Sequence, residues 1–114
     1  MLGARELAVM KPTATVINAA RGGLVDEVAL DAALKSGELA AAAIDVLAQE
    51  PPLAGHPLLA NPKVTISPHS AGLTDECAAR MGVAAVRNVL DCFAGKLDPK
   101  LVVNAAAIGI AGGA

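Results

Sequence analysis

The chain has 114 residues, enough for one domain with a modest core. Its hydrophobic fraction is 54% but its aromatic fraction only 1%, so the core must be built from Ala, Val, Leu and Ile. Small side chains bury little area each, and at roughly 25 cal/mol per Å² a chain this short is expected to be marginally stable alone. Nine basic against eleven acidic side chains give a net charge of -2 with no like-charge run longer than two, which excludes the clustered basic face that nucleic-acid binding needs.

The opening residues MLGARELAVMKP lack an apolar stretch of signal-peptide length, and the closing AAAIGIAGGA is about half of what a membrane span needs, so no membrane partner and a cytoplasmic home are expected. From Ala14 to Asn18 a short β-branched apolar run reads as a strand covered on both faces. Arg21-Gly22-Gly23 makes a turn, Asp26 is placed to cap a helix running through Ala33 with Leu30 and Leu34 on one stripe, and Gly37 terminates it. The next apolar run, Ala41 to Val46, is reached by a crossover and should lie parallel to the first strand. Four prolines between Leu47 and Pro62 force a loop with at most one short turn around Leu58 and Leu59. Lys63 to Ser67 reads as a third strand stopped by Pro68.

Thr74 then caps a long helix, with Asp75 and Glu76 in the first turn, an apolar repeat through Ala78, Met81, Ala85, Val89 and Cys92, and Gly95 at its close. Cys77 and Cys92 fall fifteen residues apart on that helix, roughly 22 Å at ~1.5 Å per residue, too far for a disulfide; they read as reduced, buried packing residues. No Cys and His spacing resembles a metal site. Leu101 to Val103 is a candidate terminal strand, and the last Ala and Gly residues read as frayed.

In open parallel sheets, ligands bind outside the carboxyl ends of the strands. That edge would collect Arg21 after the first strand, Asp45 at the end of the second with Glu50 in the loop beyond, and His69 after the third. Each has a plainer alternative. Arg21 could be a surface ion-pair partner, Asp45 a cap for the next turn, Glu50 a solvated loop charge, and His69 a backbone-bonded residue at a helix entrance. His56, away from any strand end, reads as structural.

The string VINAARGGLVDEVALDAALKSGELAAAAIDVLAQEPP, followed by NPKVTISPHSAGLTDECA, resembles the D-2-hydroxyacid dehydrogenases, in which N-x-x-R-G-x-x-V-D, A-x-D-V-x-x-x-E-P and P-H-x-x-G blocks recur in that order. Three ordered blocks with matching gaps are far more specific than a lone glycine motif. The resemblance implies an NAD-dependent oxidoreductase passing a hydride reversibly between nicotinamide and a D-2-hydroxy acid or 2-oxo acid, of the phosphoglycerate, glycerate, hydroxypyruvate or glyoxylate class. It implies a carboxylate-binding Arg21, a proton-transferring His69 and a Glu50 that orients it. It also implies Asp45 at the nicotinamide carboxamide and Ala19, Ala20, Ser70, Ala71 and Gly72 lining the cofactor, alongside Arg21 and His69.

The departures from the family are as informative. The chain contains no G-x-G, so the family's pyrophosphate loop is missing, as is nearly all of its substrate domain. The expected architecture is α/β: the second half of a doubly wound, Rossmann-type parallel sheet with a long C-terminal helix, as a fragment of a two-domain fold. Residues 1–95 would belong to the NAD-binding domain and 96–114 to the return toward the substrate domain and a disordered tail. Met1 reads either as an internal methionine of a longer protein or as the start of a truncated frame. The resemblance implies a homodimeric full-length parent and an isolated chain without activity. A non-catalytic NAD-sensing or interaction protein, and an inactive fragment on the same scaffold, are the competing readings.

Overall fold

The computed structural model describes residues 1–109. Three strands, β1 (Thr15–Asn18), β2 (Ala41–Ile44) and β3 (Val64–Ile66), form one parallel sheet in the order β1-β2-β3. Asn18 stands opposite Ile44 and Ile44 opposite Ile66, so the three carboxyl ends come out level. Flanking residues extend the ladder: the Asp45 amide donates to the Asn18 carbonyl at 2.9 Å and the Ser67 amide to that of Ile44 at 3.0 Å.

Helix α2 (Glu27–Ser36) joins β1 to β2 and begins where the Asp26 carboxylate accepts the amides of Val28 and Ala29, each at 3.0 Å. It stops at Gly37, whose φ of 82° a side-chain-bearing residue adopts only under strain. The apolar stripe of α2, Leu30, Ala33 and Leu34, is buried in one cluster with Val16, Ala42 and Ile44 of the sheet and with Leu39 and Leu58. A short helix α1 (Ala4–Ala8), not anticipated from the sequence, lies against α2 and buries Leu7 in the same core. Leu2 forms a parallel bridge to Val25, and its carbonyl accepts the Asp26 amide at 2.9 Å, holding the entrance to α2.

The chain divides into two compact units, Met1–Gly72 and the residues from Leu73 onward. In the second, α3 (Asp75–Phe93) starts with Thr74 accepting the Cys77 amide at 3.1 Å. No helix among the described residues is long and apolar enough to cross a membrane.

The strands suit cover on both faces, but with few helices in the chain one face is expected to stay bare, and it does: Val16, Asn18, Ala42 and Ile44 are buried, while Thr15, Ile17 and Thr65 on the opposite face are exposed. The strands carry apolar residues for two faces, and α2 packs one. Other sequence expectations need correction. Leu101 to Val103 is not a strand. Pro99, its φ preset for a helical turn, starts a 3-10 turn at Pro99–Leu101, and Asp98 caps it through the Lys100 amide. Both cysteines are free, but Cys92 is exposed and Cys77 only half-buried, because α3 buries none of its residues. Of the tail expected to fray, Ala105–Ile108 form another 3-10 turn, and residues 110–114 lie outside the described residues.

Candidate active site

The level carboxyl ends of the strands bring Arg21, Asp45, Glu50 and His69 to one edge of the sheet, as parallel pairing requires. Three of the four form a connected group. Asp45, 7% exposed, accepts a short hydrogen bond from the Ser67 hydroxyl, and its two oxygens take the amides of Ser70 and Ala71 at 2.9 Å each. It therefore caps a turn, though the one after β3 rather than the next in sequence. The Ser67 hydroxyl, then the Ala71 and Ser70 amides and the nearby His69, hold its carboxyl below the ordinary range against the opposing effect of burial.

That cap shapes the backbone beneath the histidine. His69 has φ 53°, a left-handed conformation costing on the order of 1–3 kcal/mol in a residue with a side chain, and its amide bonds the Ser67 carbonyl at 3.0 Å. The residue is followed directly by the two amides that Asp45 grips. Its Nδ1 meets Oε2 of Glu50 at 2.7 Å, while Oε1 of Glu50 accepts the Leu47 amide at 2.9 Å. Glu50 is thus tied at both oxygens, first by His69 and then by the Leu47 amide, and both hold its carboxyl below the usual carboxylate range. With Nδ1 on an acceptor-only carboxylate, the Nε2 of His69 carries no hydrogen bond among the described residues. Both side chains line a cleft of about 460 Å³ whose other walls include Leu47, Ile66, Pro51, Pro52 and Pro68.

Arg21 shares the edge but joins no ion pair among the described residues. Among the described residues its guanidinium donates only to the Ala20 carbonyl, at 2.6 Å, and the side chain is exposed with most of its donors free. The turn that carries it is braced by Asn18, whose side chain donates to the Arg21 carbonyl at 3.0 Å and accepts the Ala20 amide at 3.2 Å. Gly22 lets that turn touch the loop leading to Glu50. A Cβ there would lie 2.1 Å from the Leu47 carbonyl oxygen, so only glycine fits.

Ala19, Ala20, Ala71 and Gly72 are exposed along this edge and Ser70 is half-buried, but the amides of Ala20, Ser70 and Ala71 are spent on Asn18 and Asp45. Those three positions can offer a ligand carbonyls and surface, not N–H groups. His56 is structural in its contacts, pairing its Nε2 with Oε2 of Glu27 at 3.0 Å. Sequence reasoning passed over Asn18, Ser67, Gly22 and Glu27 as parts of the site; the only hint was their place beside strand ends and turns.

Comparison with known proteins gives concordant results. Residues 1–71 match the family described as D-isomer specific 2-hydroxyacid dehydrogenase, NAD binding domain. A glyoxylate/hydroxypyruvate reductase B from Citrobacter koseri is 45% identical over 102 residues, which are 90% of this chain and 32% of that protein. The structure of D-lactate dehydrogenase with NAD+ from Lactobacillus jensenii superimposes with a TM-score of 0.73 at 35% identity, covering 84% of this chain and 33% of that one. An NADPH-dependent glyoxylate/hydroxypyruvate reductase from Sinorhizobium meliloti, solved with NADP and malonate, has a TM-score of 0.73 at 35% identity over 81% of this chain and 28% of its own. The chain spans about a third of the length of the curated relatives it matches.

Proposed function

The chain belongs to the D-isomer-specific 2-hydroxyacid dehydrogenase family, and we propose that it forms the proton-transfer edge of an NAD-dependent oxidoreductase acting on a small 2-hydroxy acid or 2-oxo acid of the glyoxylate or hydroxypyruvate class. The observation that carries this is the Glu50–His69 contact at 2.7 Å on the rim of the cleft, which ties up Nδ1 and leaves Nε2 for a substrate. An imidazole whose ordinary pKa lies near 6.5 is suited to passing a proton at neutral pH.

The residues present fit the reacting end of a nicotinamide cofactor, with a proton carrier after β3 and an exposed guanidinium after β1 along the same edge of the sheet. They do not supply its pyrophosphate site, since the chain contains no G-x-G. A bound nicotinamide supplies the hydride. In this reading, protonated His69 donates from Nε2 to the carbonyl oxygen of the oxo acid, and Glu50 holds the ring in place through Nδ1. Arg21 offers a planar fork to the substrate carboxylate, which a lysine would not match in two places at once. Asp45 sets the backbone from Ser70 to Gly72 against which the carboxamide end would lie. In this proposal residues 1–95 belong to the nucleotide-binding domain, of which 1–71 match the family model, and the cofactor is NAD.

The test is a chimera in which the matching segment of the Citrobacter koseri reductase is replaced by residues of this chain, assayed for NAD(P)H-dependent reduction of glyoxylate and hydroxypyruvate. Activity is expected, with His69→Ala lowering kcat/KM by about 10²–10⁴-fold. Glu50→Gln, which keeps the shape but weakens the hold on Nδ1, should lower kcat/KM by less than His69→Ala does. A folded, cofactor-binding chimera without reductase activity would favour a binding role instead, and a rate untouched by His69→Ala would remove the mechanism. The chain alone is expected to bind NADH weakly or not at all by calorimetry; submicromolar binding would contradict the missing pyrophosphate site.

A further inference from the structure

Glu27 has no task in the chemistry just described, and α2 does not need it as a cap, because Asp26 already takes the amides of Val28 and Ala29. An acid in the first turn of a helix ordinarily sits in water and gains from the dipole. Glu27 instead has a side chain only 15% exposed, and both of its oxygens are engaged by a distant loop. Oε1 accepts the Ala48 amide at 2.6 Å, and Oε2 meets Nε2 of His56 at 3.0 Å. The two partners are 21 and 29 positions along the chain from Glu27, and Glu50 lies between them.

We propose that Glu27 is a positioning residue for the Glu50–His69 pair: one carboxylate closes the segment from Ala48 to His56 at both ends and so sets where Glu50 stands. The proposal rests on the reading of Glu50 and His69 given above. Adjacent amides make the coupling direct, since Leu47 N–H goes to Glu50 and the next, Ala48 N–H, goes to Glu27. The two peptide planes meet at the Leu47 Cα, so holding the Ala48 plane leaves the Leu47 plane only the rotations about Leu47 φ and ψ. At the far end His56 leads into the 3-10 turn Pro57–Ala60, whose Leu58 is 1% exposed in the core, so the bracket is anchored in packed structure. Closing a loop restricts the conformations of everything inside it. The ring of His56 is bound to this one use: its Nδ1 is buried without a partner, and a carboxylate accepts only, so the proton sits on Nε2 when the ring is neutral.

The test uses the full chain, labelled for NMR, and needs no activity. Three signals are followed: exchange of the Ala48 amide, the tautomer of His56 and the titration midpoint of the Glu50 carboxyl, which the His69 and Leu47 contacts hold low. Glu27→Ala is expected to speed Ala48 exchange about tenfold or more and to raise the Glu50 midpoint by about half a unit as those contacts loosen. Glu27→Gln should restore the Glu50 midpoint. With its oxygen on Ala48 it can only donate to His56, so the ring should switch to the Nδ1–H tautomer. His69→Ala serves as the reference and should raise the Glu50 midpoint by itself. A midpoint unchanged in Glu27→Ala but raised in His69→Ala overturns the positioning role; a midpoint unchanged in both overturns the pair, and with it the proposal. If Glu27→Ala does not fold, His56→Ala, which frees only the far end of the loop, must raise the midpoint, and an unchanged value there refutes the bracket.

Discussion

The main helices of the two compact units, α2 and α3, read alike in sequence as capped and amphipathic, and differ in what they bury. In Met1–Gly72, α2 and the sheet share a core in which Leu30, Leu34 and Leu39 have no exposed surface. In the unit from Leu73 onward, α3 has nineteen residues, a sound N-cap and a clear apolar stripe, yet none of its residues is buried, and Val83, Val86, Leu90 and Phe93 stay exposed. Amphipathic period says that a face is meant to be covered; it does not supply the cover. Helical stability in proteins comes mostly from packing, so the first unit should behave as a cooperative structure and α3 as a helix held by its own propensity and cap.

The sharpest way to break that contrast is a matched pair of truncations. Leu34→Ala should cost about 2–5 kcal/mol in chemical denaturation, because the side chain is wholly enclosed and its removal leaves a cavity. Leu90→Ala on α3 should cost less than about 0.5 kcal/mol by the same measurement. Equal costs would show that α3 is packed as firmly as α2. Next in size, Gly22→Ala should destabilise by about 1–3 kcal/mol, since the new methyl meets backbone atoms of Leu47 that cannot swing aside. Its effect should appear in the amide exchange of residues 47–50 and not in α3.

Acidification should divide the first unit itself, its carboxylate-held edge from its interior. Asp45 and Glu50 have carboxyl groups held low in the folded state, so their contribution is present above the ordinary carboxylate range and is lost as pH falls through their depressed values. Below about pH 4 the amides of Leu47, Ser70 and Ala71 should therefore begin to lose protection while those of β1 and β2 keep theirs. Simultaneous loss everywhere would mean that the carboxylates hold the whole unit and not its edge. The smallest expected contrast is in the caps. Asp26→Ala and Thr74→Ala should each cost about 1 kcal/mol of helix stability, the first seen in the global melt of the first unit and the second only as fraying at the start of α3.

Much of the fold was legible before any coordinate. The three strands, the caps at Asp26 and Thr74, the stop at Gly37 and the turn around Leu58 were all readable, because each depends on residues within about four positions of one another. The placement of Arg21, Asp45, Glu50 and His69 on one edge followed from parallel strands alone. The terminal strand failed for a local reason as well: Leu101 to Val103 has the composition of a strand, but Asp98 and Pro99 start a tighter turn first.

By itself the sequence determined the order of elements, their caps and the edge on which the ionisable groups gather, since period, proline, glycine and cap chemistry act over short stretches of chain. Only the tertiary structure decided how that edge is held together. The ties of Asp45 to Ser70 and Ala71, of Glu27 to Ala48 and His56, and the approach of Gly22 to Leu47 join residues about 21 to 29 positions apart, and no local preference distinguishes these acids from solvated ones. Their partners are chosen by the crossover through α2 and by the level ends of three strands, which bring distant backbone amides to within hydrogen-bond reach of a carboxylate that burial would otherwise penalise.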